Sequence, residues 1–362
     1  MDIETKIQLI KEVGEEIITE KELRELFQTN NNPIAYDGFE PSGMAHLPFG
    51  VYRAMNINSL IKAGVKFKLY IADWFAWINN KMGGDLEKIK IVGNYFIEVW
   101  KAAGVDMRNV EIIWNSDVVK DHEYWKKVIL IAKNTTVNRA ERCLTIMGRK
   151  KGEMKETAQF FYPMMQTADI FHLKADICQL GLDQRRANML AREIGPKLGW
   201  WKPVVVSHHM LMGLEGVKTP EGYDENKKMD VEISSKMSKS KPESCIYVHD
   251  SKEEIKRKIN RAFCPEKIVE NNPILDYSKH IIFRKFKTMK IERPSKFGGD
   301  IEVERYEELE KLYREGKIHP LDLKNAVSNY LNEVIKPIRE HFEKDKKAKE
   351  LFEIVKNTKI TR

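Results

Sequence analysis

Tyr36-Asp37-Gly38-Phe39-Glu40-Pro41-Ser42-Gly43-Met44-Ala45-His46-Leu47-Pro48-Phe49-Gly50 carries the chain from a strand, through a loop, into a helix. Ile34–Phe39 is a short apolar run ending in Glu-Pro-Ser-Gly, and helical periodicity follows over residues 49–64. Gly and Ser at such a turn let the backbone approach a phosphate, and the helix beyond offers free N–H groups to an anion. His46, near the helix start, can donate to a phosphate oxygen. Taken alone, a histidine there is more often a satisfied structural residue.

The same alternation extends outward. Residues 5–28 read as helices, the second opening at Thr19-Glu20-Lys21-Glu22. Val65–Ala72, Val110–Trp114, Ala175–Cys178 and Val204–Ser207 read as strands. Asp85–Ala103, His122–Lys133, residues 156–171 and Gln184–Leu198 read as helices. Strands alternating with helices predict an α/β, Rossmann-like parallel sheet covered on both faces, with ligands bound beyond the carboxyl ends of the strands. After Ser240 the pattern turns helical: Lys252–Phe263, Ile274–Phe286, Tyr306–Glu315, Pro320–Lys347 and Lys349–Lys356, with little strand. Two domains are expected, a catalytic one over 1–245 and a mainly α-helical one over 246–362. No internal repeat stands out.

Ser235-Lys236-Met237-Ser238-Lys239-Ser240 is the second informative stretch. Two lysines on a small-residue loop can close over a triphosphate and neutralise charge that builds on departing pyrophosphate. A solvated basic loop is the plain alternative.

The 362-residue chain is long enough for two cores. Its start, Met1-Asp2-Ile3-Glu4, lacks the order of a signal peptide, and no apolar run reaches membrane-spanning length. Cys143, Cys178, Cys245 and Cys264 have no ligand spacing, so free thiols in a reducing cytoplasm, without structural zinc, are expected. Net charge is +8, and residues 251–362 hold 27 Lys and Arg against 20 Asp and Glu. That excess suits a polyanion; a solvated Lys/Glu helix surface accounts for it equally simply.

Pro41–Phe49 resembles the first signature region of class I aminoacyl-tRNA synthetases, and Lys236–Ser240 resembles their mobile loop. More narrowly, the chain resembles tyrosyl-tRNA synthetases of archaeal and eukaryotic type over nearly its whole length. Besides Gly38–Gly43, the matching stretches are Tyr162-Pro163-Met164-Met165-Gln166, Gly181-Leu182-Asp183-Gln184-Arg185, Lys296-Phe297-Gly298-Gly299-Asp300 and His319-Pro320-Leu321-Asp322-Leu323-Lys324-Asn325. Phe49 stands where many relatives carry a second histidine.

The resemblance implies a tyrosine–tRNA ligase: tyrosine and ATP give tyrosyl-adenylate and pyrophosphate, and the 3'-terminal ribose of tRNA(Tyr) then takes the tyrosyl group. His46, Lys236 and Lys239 would be catalytic. The ATP site would comprise Pro41, Ser42, Gly43, His46 and Phe49 with Lys236, Met237, Ser238, Lys239 and Ser240. Mg²⁺ would ride on the pyrophosphate oxygens, with no tightly bound cofactor. Tyr36, Tyr162, Gln166, Asp169 and Gln184 match the tyrosine-binding positions, with Tyr36 and Asp169 meeting the phenol and the others the ammonium. Tyr162, Gln166 and Asp169 share one helix face by spacing. Asp73 either faces this pocket or caps the next helix. Arg185, Phe297, His319 and Asp322 match tRNA-reading positions, against a helix-surface arginine, a core phenylalanine and a capping aspartate as plain alternatives. Arg139 and Arg142 fall in an expected insertion at about 115–165 that carries a homodimer interface and faces the acceptor arm; the mobile loop is expected at 234–241. The helical domain is expected to finish at Thr361 and Arg362 with no further RNA-binding module.

Rival readings are a tryptophanyl-tRNA synthetase, a catalytically idle tRNA-binding relative and a small-molecule adenylyltransferase. Asp169 with Gln184 favours a phenol over an indole, the intact lysines favour catalysis, and the basic helical third favours tRNA.

Overall fold

The structure, a computed structural model, describes residues 1–149, 153 and 156–358. Six strands form one sheet: β1 (Gly14–Ile18), β2 (Ile34–Phe39), β3 (Lys66–Ile71), β4 (Val110–Trp114), β5 (Ile177–Cys178) and β6 (Val204–His208), in the order β1-β6-β5-β2-β3-β4. The five strands β2 to β6 run parallel, as the alternating pattern predicts. β1 does not. It lies inside the stretch expected to be helical and pairs antiparallel with β6, Ile18 opposite Val205. Five residues between two helices are too few to show a period of two against the helical background.

Chain order moves outward from β2 to β3 and β4, then returns to β5 on the other side of β2. This reversal opens a crevice at the carboxyl ends of β2 and β5, where such sheets bind ligands. Alternation along β2 sends Tyr36 into one buried cluster, with Tyr70, Tyr124 and Tyr162, while Ala35 and Phe39 join the other, with Trp100. The loop after β2 turns at Gly43, whose φ of 105° suits glycine. It leads through Pro48–Tyr52 into the helix Arg53–Lys62.

The last third is mainly helical, as expected. The principal helices are Lys252–Arg261, Pro273–Tyr277 with its continuation to residue 285, Tyr306–Arg314, Pro320–Lys344 and Lys346–Lys356. The last two are separated by Asp345, which caps the second. A two-stranded hairpin, Met289–Ile291 with Ile301–Val303, and the helix Lys227–Ser235 were not legible in the sequence. The main core runs unbroken past residue 246: Tyr95 packs 5.4 Å from Phe342, and His341 meets Glu98 at 3.1 Å. Among the described residues no helix is long and apolar enough to cross a membrane, and all four cysteines are free.

Candidate active site

The ends of β2, β3 and β5 and the segment around Lys236–Ser240 surround one cavity of 960 Å³. Tyr162, Gln166 and Asp169 project into it from one face of the helix Phe161–His172, as their spacing predicts. Tyr36 and Gln184 line it as well, so all five expected tyrosine-pocket residues come together.

Their bonding sets their chemistry. Asp169 Oδ1 accepts from Tyr70 Oη at 2.7 Å and Tyr124 Oη at 2.9 Å. Burial lifts its carboxyl to about 8, against the pull of those two phenols. Tyr36 is buried, and its hydroxyl has no hydrogen-bond partner among the described residues. Burial raises the Tyr36 phenol well above its usual range, so it stays protonated and able to donate. Tyr162 donates to Glu40 at 2.6 Å, which leaves its oxygen as an acceptor. Gln166 donates to the Gln184 carbonyl oxygen at 3.2 Å, and Gln184 donates to Ile146 O.

The other half of the cavity is cationic. Ser42, His46, Lys236, Met237, Ser238, Lys239 and Ser240 line it. Lys239 Nζ donates to Ser42 Oγ at 2.7 Å, so the two distant sequence motifs touch. Burial, then nearby Lys81, lowers the Lys239 ammonium to about 8. Lys236 forms an ion pair with Asp183. Burial alone would raise Asp183, but Lys236 outweighs it and holds the carboxyl below its usual value. Burial, then Lys239, Lys236 and Arg53, drives His46 well below its usual value, so the imidazole is neutral. Its Nδ1 has no hydrogen-bond partner among the described residues.

Pro41, Gly43 and Phe49 do not line the cavity. Phe49 turns into the core, 4.1 Å from the Phe96 ring and 4.8 Å from Trp100, so this motif position packs the site helix rather than lining the cavity. Asp73 also stays outside: it is the first residue of the helix Asp73–Ile78, whose N-cap is Ala72, and its Oδ1 accepts from the backbone N–H groups of Trp74 and Ser116.

Several functional neighbours escaped the sequence reading. Tyr70, Glu40, Arg53 and Asp183 line the cavity, and Tyr124 stands behind Asp169. Tyr70 and Glu40 had a usable signal, since each lies at the carboxyl end of a strand flanking the crevice. Tyr124 carried none. Arg53 reaches the cavity while ion-paired to buried Asp37, whose own carboxyl burial raises to about 7.

The expected tRNA residues lie away from the cavity. Arg185 is ion-paired to Glu16 at 2.8 Å, Arg139 is paired to Glu193 at 2.8 Å, and Arg142 is exposed. Phe297 is 60% exposed, so it is not core, with Lys296 Nζ 4.9 Å from its ring centre. His319, not Asp322, caps the helix Pro320–Lys344 by accepting from Leu321 N. One trio among the described residues, His209, Asp276 and His280, is close enough to suggest a metal. However, Nε2 of His209 already bonds Asp276, and the two imidazoles stack at 15°, so their in-plane lone pairs run parallel instead of converging.

Comparison with known proteins agrees with this geometry. A family model described as tRNA synthetases class I (W and Y) matches residues 28–336. A tyrosine–tRNA ligase of Sulfurisphaera tokodaii is 47% identical over 95% of this chain and 94% of its own length. The cytoplasmic tyrosine–tRNA ligase 1 of Arabidopsis thaliana is 43% identical over 100% of this chain and 90% of its own. The crystal structure of the Pyrococcus horikoshii tyrosyl-tRNA synthetase complexed with L-tyrosine superposes with a TM-score of 0.89 at 42% identity, covering 98% of this chain and 100% of that one. With the five expected tyrosine-pocket residues and the paired-lysine loop on one cavity, the chain belongs to the class I tyrosyl-tRNA synthetases of archaeal and eukaryotic type, and its activity is tyrosine–tRNA ligation.

Proposed function

We propose that the cavity holds tyrosine and ATP side by side, with the roles divided as follows. Asp169 accepts from the substrate phenol and Tyr36 donates to it. Tyr162, Gln166 and Gln184 face the ammonium with oxygen acceptors. A tyrosine carboxylate oxygen attacks the α-phosphorus, the bond to the pyrophosphate oxygen breaks, and pyrophosphate leaves. No protein nucleophile is needed. Lys236, Lys239, Ser42 and neutral His46 supply donors where negative charge grows, in a site that orients both substrates. Glu40 is occupied by Tyr162 and Asn79, and Asp183 by Lys236, so the cavity's carboxylates fit a Mg²⁺ carried on the nucleotide better than one caged by protein. When bound, that ion adds positive charge at the phosphates.

The tyrosyl group then passes to the terminal ribose of tRNA(Tyr). Residues 1–245 carry the chemistry and 246–362 read the anticodon, with Phe297 stacking on an unpaired base, Asp322 and His319 at its edge, and Arg185 at the acceptor stem. Ile129, Val137, Phe160 and Phe161 are exposed apolar residues of the 115–165 insertion, which supports a homodimer interface there. A cytoplasmic location agrees with the free thiols.

One observation carries this reading: Lys239 reaches Ser42 across the same cavity that Asp169 lines. Tyrosine-dependent pyrophosphate exchange tests it. Asp169→Ala is expected to raise tyrosine KM about 3- to 10-fold, the loss of a buried hydrogen bond to a carboxyl that burial keeps mostly neutral at about pH 7. Lys239→Ala is expected to cut exchange kcat about 100-fold. Unchanged kinetics in both variants would refute the site.

A further inference from the structure

Behind the lysine loop lies a half-buried ionic triad that the proposed chemistry does not use. His209 Nε2 meets Asp276 Oδ1 at 2.8 Å, and its Nδ1 meets Glu232 Oε1 at 3.3 Å. Both ring nitrogens therefore stand within ion-pair distance of carboxylates: Nε2 is hydrogen-bonded to Asp276, whereas Glu232 Oε1 approaches Nδ1 without a hydrogen bond. Burial opposes charge on the imidazole, but Asp276 and Glu232 override it and lift His209 to about 10. His280 stacks on the His209 ring at 4.2 Å and lies 3.6 Å from the same Asp276 oxygen.

Each member of the triad belongs to a different element, and each leads to the loop. Glu232 sits on the helix Lys227–Ser235, which runs directly into Lys236. Asp276 sits on the helix Pro273–Tyr277 of the last third. Between them passes the strap 209–213. Asp276 Oδ2 accepts from Met212 N at 3.0 Å, and Tyr277 Oη donates to Met212 O at 2.6 Å. The strap in turn pairs with the loop backbone: Met212 bridges Lys236, Gly213 N donates to Ser235 O at 2.8 Å, and Met237 N donates to Leu211 O at 2.7 Å. The bonds from the helical third to the backbone of Lys236 and Met237 thus form one continuous path.

We propose that His209 is a positioning residue: bridging Glu232 and Asp276, it fixes the strap that sets where Lys236 and Lys239 stand over the nucleotide's phosphates. The inference rests on the reading of those lysines as phosphate groups' partners. A loop held through one half-buried ion triad shifts as a unit when the triad is broken, because removing one member leaves a half-buried charge unpaired. Displacement of about an ångström at the lysines is enough to cost on the order of 100-fold in rate. Of the residues proposed to meet tyrosine, Tyr36 stands on β2 and Tyr162, Gln166 and Asp169 on the helix Phe161–His172, outside the strap and the loop it pairs with.

The test uses the full chain with His209→Asn, Asp276→Asn, their double variant and Lys239→Ala. Pyrophosphate exchange gives kcat, calorimetry gives tyrosine Kd, and thermal melts report folding. The expected result is a fall in kcat of about 10- to 100-fold in each single triad variant, with tyrosine Kd changed less than about threefold. The double variant should be no worse than the poorer single one, since both break the same link. A folded His209→Asn enzyme with full kcat overturns the proposal, as does an equal loss in tyrosine affinity. If the His209 and Asp276 variants do not fold, Glu232→Gln decides: its side chain is 24% exposed and the His209–Asp276 pair survives. There kcat should fall about threefold or more at constant tyrosine Kd, and an unchanged kcat overturns the inference. An active Lys239→Ala enzyme sinks the loop reading itself, whereas an inactive one beside a fully active His209→Asn sinks only the triad's role.

Discussion

Tyr70 and Tyr124 donate to the same oxygen of Asp169, Oδ1, which in the proposed complex leaves Oδ2 for the substrate phenol. Removing one donor loosens the carboxylate without deleting it. Tyr124→Phe is expected to cost about 1 kcal/mol, a roughly 3- to 10-fold rise in tyrosine KM, with exchange kcat nearly intact. Steady-state exchange kinetics check this. At the phosphate end, the depressed Lys239 ammonium gives a pH signature. The protonated form holds phosphate, so kcat/KM for ATP is full below about pH 8 and falls as pH rises through it. Lys239→Arg should abolish that alkaline limb, because a guanidinium keeps its charge. The pH profile, not the absolute rate, is the readout. Tyr162, Gln166 and Asp169 were legible because helical spacing puts them on one face. Tyr70 and Tyr124 were not: they stand 99 and 45 residues from Asp169, and no local pattern links a strand tyrosine to a helix carboxylate so far away.

The helix that follows the first motif is seated by close approach. A Cβ at Gly50 would lie 2.5 Å from Val248 Cγ1 and 3.1 Å from Val99 Cγ1. Gly50→Ala therefore has to push the site helix off both neighbours. It is expected to destabilise the fold by about 1–3 kcal/mol, read from urea unfolding, and to lower exchange activity with it. Strand and helix positions over most of the chain followed from apolar periodicity. The exceptions have physical causes. β1 exists only because β6 offers an edge to pair with, and the hairpin Met289–Val303 has strands of three residues, too short for a period. Phe49 was placed with the ATP motif because sequence position cannot tell which way a side chain turns at a helix start; packing against Phe96 and Trp100 decided it.

Across the molecule, the cavity and the residues matched to anticodon reading occupy different regions, so the two steps of the reaction should separate experimentally. Phe297→Ala is expected to lower aminoacylation kcat/KM for tRNA about tenfold or more, at the lower end of what base stacking on an aromatic ring contributes, and to spare pyrophosphate exchange. A parallel comparison of exchange and aminoacylation rates checks it; loss of both activities would place Phe297 in the fold rather than at RNA. The change to a mainly helical pattern past residue 246 could be seen in the sequence. The packing across it could not, because Tyr95 meeting Phe342 joins residues that no sequence window contains together.

The bond between Lys239 and Ser42 has a consequence for how nucleotide enters. Half-buried Lys239 already gives one of its three ammonium donors to the Ser42 hydroxyl, and burial lowers its proton affinity. In the proposed complex an incoming phosphate oxygen takes the place of that serine hydroxyl. The nucleotide of that complex therefore meets an ammonium that Ser42 already holds in place.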